Sequence, residues 1–309
     1  MSSFFVLQKQ YEDLARDEII SISKSYDSKS SVTTEPRLVM VSSKIPWYKI
    51  ASRATFARHS GIIAGTFDDI IKIDCSIPRP ETFVCRTINL SSKSIGSSLE
   101  RQVGAILAKR WGSKVSLSNP QVTIYLIITD STKYLGYADS QIMPVHPKKI
   151  IKHPHELDMK LARCMVNLSQ LKEGDVICDP FCGTGTILLE AESMGMHSIG
   201  IDFDKIMCKI TKKNLVANGF DSRVINSGYE KIQDIMGEID GIVTDLPYGI
   251  SSRSSISPKK LLQDFISVIP KRKKLVIVYK KGLEVDGIVK AKKYEIYRHK
   301  SLTRVIAVS

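Results

Sequence analysis

The sequence predicts an α/β protein in two parts: a seven-stranded, Rossmann-like domain in the second half, preceded by an α+β region of ferredoxin-like pattern. Three observations carry this. From Leu157 onward, short apolar runs alternate with segments of helical spacing, the pattern of a doubly wound sheet. Two of those runs, Asp175–Cys178 and Ile239–Thr244, stop at an aspartate and a turn, Asp179-Pro180 and Asp245-Leu246-Pro247. The first half mixes short strands and helices without such a repeat, and 309 residues are enough for two ordinary domains.

In chain order, Ser3 to Gln8 reads as a strand and Tyr11 to Tyr26 as an amphipathic helix. A Ser/Lys-rich turn and a strand at Leu38 to Ser42 follow. Alternation continues to about Asp130, so residues 1–75 form the ferredoxin-like region and 76–140 a second α+β region. Tyr134 to Lys152 holds Pro144 and Pro147 and no helical repeat, which marks a linker at residues 141–156. The domain at 157–309 opens with a helix. Its strands are expected near Val176–Cys178, Ser198–Ile201, Ser222–Ile225, Gly241–Thr244 and Leu275–Tyr279, closed by Tyr294–Arg298 and Arg304–Val308.

The run Asp179-Pro180-Phe181-Cys182-Gly183-Thr184-Gly185-Thr186 lies between an apolar strand and the helical Ile187-Leu188-Leu189-Glu190-Ala191. Gly183 and Gly185 let the backbone approach a ligand, and the free amides at the helix start favour its polar or anionic end. Asp179 at the strand tip can receive an ammonium group. Ser198-Ile199-Gly200-Ile201-Asp202 reads as a second strand ending in an acid, the place where doubly wound folds bind a ribose. A nicotinamide dinucleotide is disfavoured, because its third glycine would fall at Leu188, a bulky side chain expected to obstruct helix-on-strand packing.

Asp245-Leu246-Pro247-Tyr248-Gly249 sits at the tip of the later strand, on the carboxyl edge where open α/β sheets bind ligands. These residues suit methylation of an exocyclic amine. Such a nitrogen shares its lone pair with the ring. Asp245 and a carbonyl of the Leu246-Pro247 turn can accept both N–H groups, which localises the lone pair for attack on a sulfonium methyl. Tyr248 can stack on the base. A base inside a duplex cannot reach such a pocket, so the target is unpaired or flipped out.

These two motifs, with His153-Pro154-His155-Glu156-Leu157-Asp158-Met159-Lys160-Leu161-Ala162-Arg163-Cys164-Met165-Val166-Asn167-Leu168, resemble the archaeal tRNA guanine-10 N2-methyltransferases. The resemblance covers nearly the whole chain. It implies a class I methyltransferase domain that uses S-adenosylmethionine, preceded by an RNA-binding THUMP domain, and a product of N2-methyl- or N2,N2-dimethylguanosine in tRNA. Gly96 to Trp111 and Lys114 to Ile124 look like the THUMP helix and its following strands. The expected site then comprises Asp245, Pro247 and Tyr248 for catalysis. Asp179, Pro180, Phe181, Gly183, Gly185, Thr186, Asp202, Tyr229 and Asp245 are expected to hold the cofactor. Arg86, Lys93, Lys109, Arg110 and Lys114 are expected to meet RNA. Two positions depart from the family pattern. Leu246 stands where a second proline is usual, which loosens the turn, and Val224 to Glu230 offers Tyr229 where the family carries an acid that reads adenine.

Composition agrees with an RNA enzyme. The net charge is +13, and Lys and Arg exceed Asp and Glu by 7 in residues 1–150 (20 against 13) and by 6 in residues 151–309 (25 against 19). No run of eighteen apolar residues and no signal-peptide layout is present, from which a soluble, cytoplasmic protein is expected. The six cysteines, Cys75, Cys85, Cys164, Cys178, Cys182 and Cys208, form no C-x-x-C pair, and His153 and His155 have no matching cluster. No metal is expected. A monomer is expected. The polar loop 249–255 with Arg253 can close over a base. Two alternatives stay open: an adenine-N6 DNA methyltransferase, and a non-catalytic RNA-binding protein with a decayed methyltransferase domain.

Overall fold

The computed structural model describes residues 2–67, 79–96, 98–154, 156–247, 257–283, 285–299 and 302–309. Tyr248, the loop 249–255, Cys75 and His155 lie outside the described residues. The chain divides into two units, Met1–Pro144 and Val145–Ser309.

The first unit comprises β1 (Ser2–Leu7), α1 (Glu12–Tyr26), β2 (Ser31–Glu35), β3 (Leu38–Ser42), α2 (Trp47–Ala51), β4 (Ala57–Thr66), β5 (Thr82–Asn89), α3 (Leu99–Trp111), β6 (Lys114–Val115), β7 (Val122–Ile128) and β8 (Lys133–Ala138). One eight-stranded sheet of order β2-β3-β1-β4-β8-β7-β5-β6 runs through it. The division expected at residue 75 falls between β4 and β5, yet β4 pairs with β8 and β8 with β7, so the sheet continues across it. The sequence reading did not include β2. Its residues are mostly exposed and carry no apolar alternation, and pairing with β3 makes them a strand. Phe83, Val103, Leu107, Ile124 and Leu126 form the core between α3 and the sheet.

The second unit comprises α4 (Met159–Leu168), β9 (Val176–Asp179), α5 (Thr186–Ser193), β10 (His197–Asp202), α6 (Lys205–Val216), β11 (Arg223–Asn226), β12 (Gly241–Asp245), α7 (Pro258–Val268), β13 (Lys274–Lys280), β14 (Lys292–His299) and β15 (Leu302–Val308). Single 3-10 segments occupy Tyr229–Ile235 and Asp286–Ile288. The seven strands run in the order β11-β10-β9-β12-β13-β15-β14. β9 to β13 are parallel, and β15 is antiparallel between β13 and β14. Parallel strands put their carboxyl ends on one edge, so Asp179, Asp202, Asn226 and Asp245 line up there. The strand order reverses between β9 and β12, and the crevice at such a reversal is where doubly wound sheets take ligands.

Of residues 141–156, read as linker, 145–154 and 156 belong to this unit and have no regular structure of their own. Two asparagines of the α6 region satisfy their backbone. Asn218 accepts from Lys148 N at 2.9 Å and donates to its carbonyl at 2.8 Å, and Asn214 does the same for Ile151 at 2.9 Å each. Buried Glu190 receives His146 Nδ1 at 2.7 Å and Arg163 Nε at 2.6 Å. Arg163 also donates to the Val145 carbonyl at 2.6 Å. The segment is a strap laid along the sheet domain, with no apolar period in the sequence to reveal it.

Candidate active site

The glycine turn between β9 and α5 has Gly183 at φ +51° and Gly185 at φ +84°, the left-handed region where a side chain is strained. A Cβ on Gly185 would also lie 2.9 Å from Thr211 Cγ2. The turn is pinned from two sides: Gly183 N donates to Asp202 Oδ2 at 2.8 Å, and Thr211 Oγ1 donates to the Gly183 carbonyl at 2.6 Å. Leu188 does not obstruct the packing of α5 on the sheet. Gly200 on β10 supplies the missing space, since a Cβ there would stand 2.6 Å from Leu188 Cδ1. The close approach uses a glycine on the strand in place of one on the helix, which corrects the argument made from Leu188.

Thr184 and Thr186 turn their hydroxyls to Lys149 of the strap, whose buried ammonium also bonds Glu156 Oε2 at 2.7 Å. Thr186 Oγ1 is thereby used as an acceptor, which leaves its O–H and its backbone to offer a ligand. Lys149 was not among the sequence candidates, because nothing near it in the chain marks it out.

Three carboxylates converge on the strand edge. Asp179 is buried. Its Oδ1 accepts Thr244 Oγ1 at 2.6 Å and Phe181 N at 3.1 Å, and Oδ2 accepts no bond among the described residues. Burial, with the nearby charges of Asp245 and Asp202, pushes its carboxyl up to about 7. Asp202 is raised by burial, against the pull of the Asp204 and Gly183 amides, which its two oxygens accept at 2.9 and 2.8 Å. Asp245 is pushed up to about 6 by burial, opposed by Arg304 and Arg298. Its Oδ1 is buried with no hydrogen-bond partner among the described residues, and Oδ2 stands 3.8 Å from Arg304 Nη1. A buried acceptor without a donor is costly, and a ligand N–H removes the cost.

Phe181, Tyr229 and Phe265 form an aromatic trio with centroids 5.3 to 5.7 Å apart. Phe203, directly after Asp202, keeps 54% of its surface exposed. A phenylalanine directly after the acid that ends β10 is visible in the sequence, but its exposure is not, and it was not among the sequence candidates.

A family model described as an RMKL-like methyltransferase domain matches residues 148–300. Over the whole chain the protein is 31% identical to the tRNA (guanine(10)-N2)-dimethyltransferase of Methanothermobacter thermautotrophicus, covering 99% of that protein. It is 32% identical to the protein of the same name from Methanocaldococcus jannaschii, over 78% of this chain and 74% of that one.

The chain belongs to the tRNA (guanine(10)-N2)-dimethyltransferase family.

The fold agrees over the full length with the crystal structure of TrmN from Thermus thermophilus, at a TM-score of 0.56 and 17% identity, covering 100% of this chain and 99% of that one. A DNA methylase model also matches residues 76–213, a stretch that crosses the unit boundary and stops short of Asp245.

Within the family pattern, Leu246 no longer looks like a loosened turn. It is 1% exposed in the core of the domain, and its N–H donates to the Val278 carbonyl at 2.9 Å, a bond that proline cannot make. Pro247 is partly buried, and Pro180 is buried in the turn after β9. The basic positions of the first unit do not gather in one place. Lys109 and Arg110 lie in the last turn of α3 and Lys114 on β6. Lys93 lines a cleft of about 620 Å³ with Ser98 and Leu99 at the start of α3, about 20 Å away along the helix. Arg86 on β5 faces Glu100 at 3.8 Å. Among the described residues no group of three or more His, Cys, Asp or Glu is placed to hold a metal ion. No helix among them is long and apolar enough to cross a membrane.

Proposed function

We propose that this chain transfers a methyl group from S-adenosylmethionine to the exocyclic N2 of a guanosine in tRNA, at position 10 as in its relatives' names. The observation that carries the reading is Asp245. It is an aspartate on the ligand-binding edge of a class I sheet, next to the glycine turn, with a buried oxygen lacking a donor.

The residues fit the cofactor. Gly183 and Gly185 would leave room for its methionine end along the backbone, and Asp179, whose Oδ1 accepts from Thr244, would receive its ammonium at the other oxygen. Asp202 takes the ribose hydroxyls, and Phe203 with the Phe181–Tyr229 pair offers apolar faces for adenine in the absence of an adenine-reading acid. When bound, the cofactor supplies an electrophilic methyl on a sulfonium.

Asp245 Oδ1 accepts an N–H of the guanine amine and the backbone after β12 accepts the second, so the nitrogen lone pair turns out of conjugation with the ring. As the nitrogen attacks, positive charge grows on it against the Asp245 carboxylate, which then takes the proton. Pro247 stiffens the turn that presents these acceptors, and Tyr248 supplies the stacking face. The basic residues of the first unit, Arg86, Lys93, Lys109, Arg110 and Lys114, hold the phosphates of tRNA and deliver the base.

The test is transfer of labelled methyl to unmodified tRNA transcripts, with nucleoside analysis and mapping. N2-methylated guanosine at position 10 is expected, and the same run counts the methyls added. Transfer to adenine N6 of DNA instead would support the DNA methylase match, and tRNA binding without transfer would overturn the enzyme.

A further inference from the structure

We infer that Arg304 is a positioning residue for methyl transfer: from β15 it reaches across β13 to Asp245 and holds that carboxylate with Oδ2 toward the protein and Oδ1 toward the amine. The inference rests on the reading of Asp245 as the amine acceptor.

Arg304 is 5% exposed, and a guanidinium is costly to bury without a counter-charge. It lies inside the sheet, paired with Lys280 on β13 and Ile296 on β14, near the carboxyl edge because β15 runs antiparallel to β13. Asp245 is on the same edge, paired with Val278 of β13. Nη1 stands 3.8 Å from Oδ2, too long for a hydrogen bond but close for opposite charges with Arg304 buried and Asp245 largely so. The contact therefore orients and stabilises the carboxylate without using up the acceptor that the substrate needs. Oδ1, buried and unpartnered among the described residues, is the oxygen left for the amine.

The charged groups around Asp245 come from three strands. Arg304 on β15 and Arg298 on β14 favour its ionised form, and its charge in turn raises Asp179 on β9. Burial outweighs the two arginines and holds the carboxyl up at about 6. The reaction needs the carboxylate, so the rate falls as pH drops through that value. Without Arg304 the midpoint of this fall moves to higher pH.

The experiment is single-turnover methyl transfer to unmodified tRNA transcript, with enzyme in excess and saturating S-adenosylmethionine, from pH 5 to 9. It compares wild type, Arg304→Met and Arg304→Lys, and repeats Arg304→Met in an Asp245→Asn background. Arg304→Met should raise the acidic midpoint by about one pH unit, so that its fold loss in rate is largest at pH 5, about tenfold, and shrinks toward pH 8.5. Arg304→Lys keeps the charge and should hold the midpoint while lowering the plateau. In the Asp245→Asn background, Arg304→Met should cost nothing further. A midpoint unchanged in Arg304→Met, or a loss of equal size at every pH, overturns the proposal. If Arg304→Met does not fold by circular dichroism, Arg304→Lys decides alone, and a shifted midpoint there refutes the assignment. Wild-type enzyme that transfers no methyl to tRNA would instead remove the functional reading on which this rests.

Discussion

Asp179→Asn isolates one term of the site's energetics. The substitution keeps an oxygen for Thr244 Oγ1, 2.6 Å away, and for Phe181 N, so packing is preserved and only ionisation is removed. In the fold the carboxyl is held up to about 7, against an ordinary value of 3.8. Between those values the folded state binds more protons than the unfolded state, so this group's contribution makes wild-type stability fall as pH rises from about 4 to about 7. About three pH units correspond to about 4 kcal/mol as a ceiling at pH 8, of which about 1.5 kcal/mol has already been lost at pH 5. The buried amide of asparagine adds a cost of about 1–2 kcal/mol that does not change with pH. The informative quantity is therefore the difference: the stability of Asp179→Asn relative to wild type should improve by about 2.5 kcal/mol from pH 5 to pH 8. Hydrogen exchange by mass spectrometry on peptides spanning β9 and β12, without cofactor and corrected for intrinsic rates, reads it within the right unit. A difference that does not vary with pH refutes the argument. The same variant should bind S-adenosylmethionine more weakly, since the ammonium loses its partner. Unchanged affinity would show that Asp179 serves the fold alone.

Asp245→Ala should abolish turnover, by about a thousand-fold or more, while cofactor affinity by calorimetry stays within a few-fold of wild type. Loss of both together would mark a structural role. Gly185→Ala combines a strained φ with a Cβ 2.9 Å from Thr211 Cγ2, and should cost about 1–3 kcal/mol in β9–α5 exchange protection and weaken cofactor binding. A variant as protected as wild type would mean that the turn relaxes freely. Lys149→Met leaves Glu156 without its buried cation and should cost about 3 kcal/mol or more, with faster exchange in residues 145–154 than elsewhere in the unit. Uniform loss across the domain would contradict the picture of a strap.

Most strands of the second unit were legible because they are short apolar runs ending at a turn, a signal contained within a few residues, and β14 through its alternation of Tyr294 and Ile296 with charged neighbours. The glycine turn and the Asp-Leu-Pro-Tyr tip were legible for the same reason: their chemistry is in adjacent side chains. Leu188 misled the reading because its fit depends on Gly200, one strand away, and Leu246 because its amide finds Val278 on a neighbouring strand. β2 was missed because an edge strand of polar residues has no period until β3 pairs with it.

What the sequence by itself determined is the class of fold, the two motifs and the class of reaction, since periodicity and contiguous motifs are local properties of a chain. The tertiary structure decided which oxygen of Asp245 is open, that Arg304 stands behind it, and that Lys149 closes the strap on the glycine turn. Those facts depend on pairs far apart in the chain, brought together by strand order and register, and neither member of such a pair carries a mark of the other in its own neighbourhood.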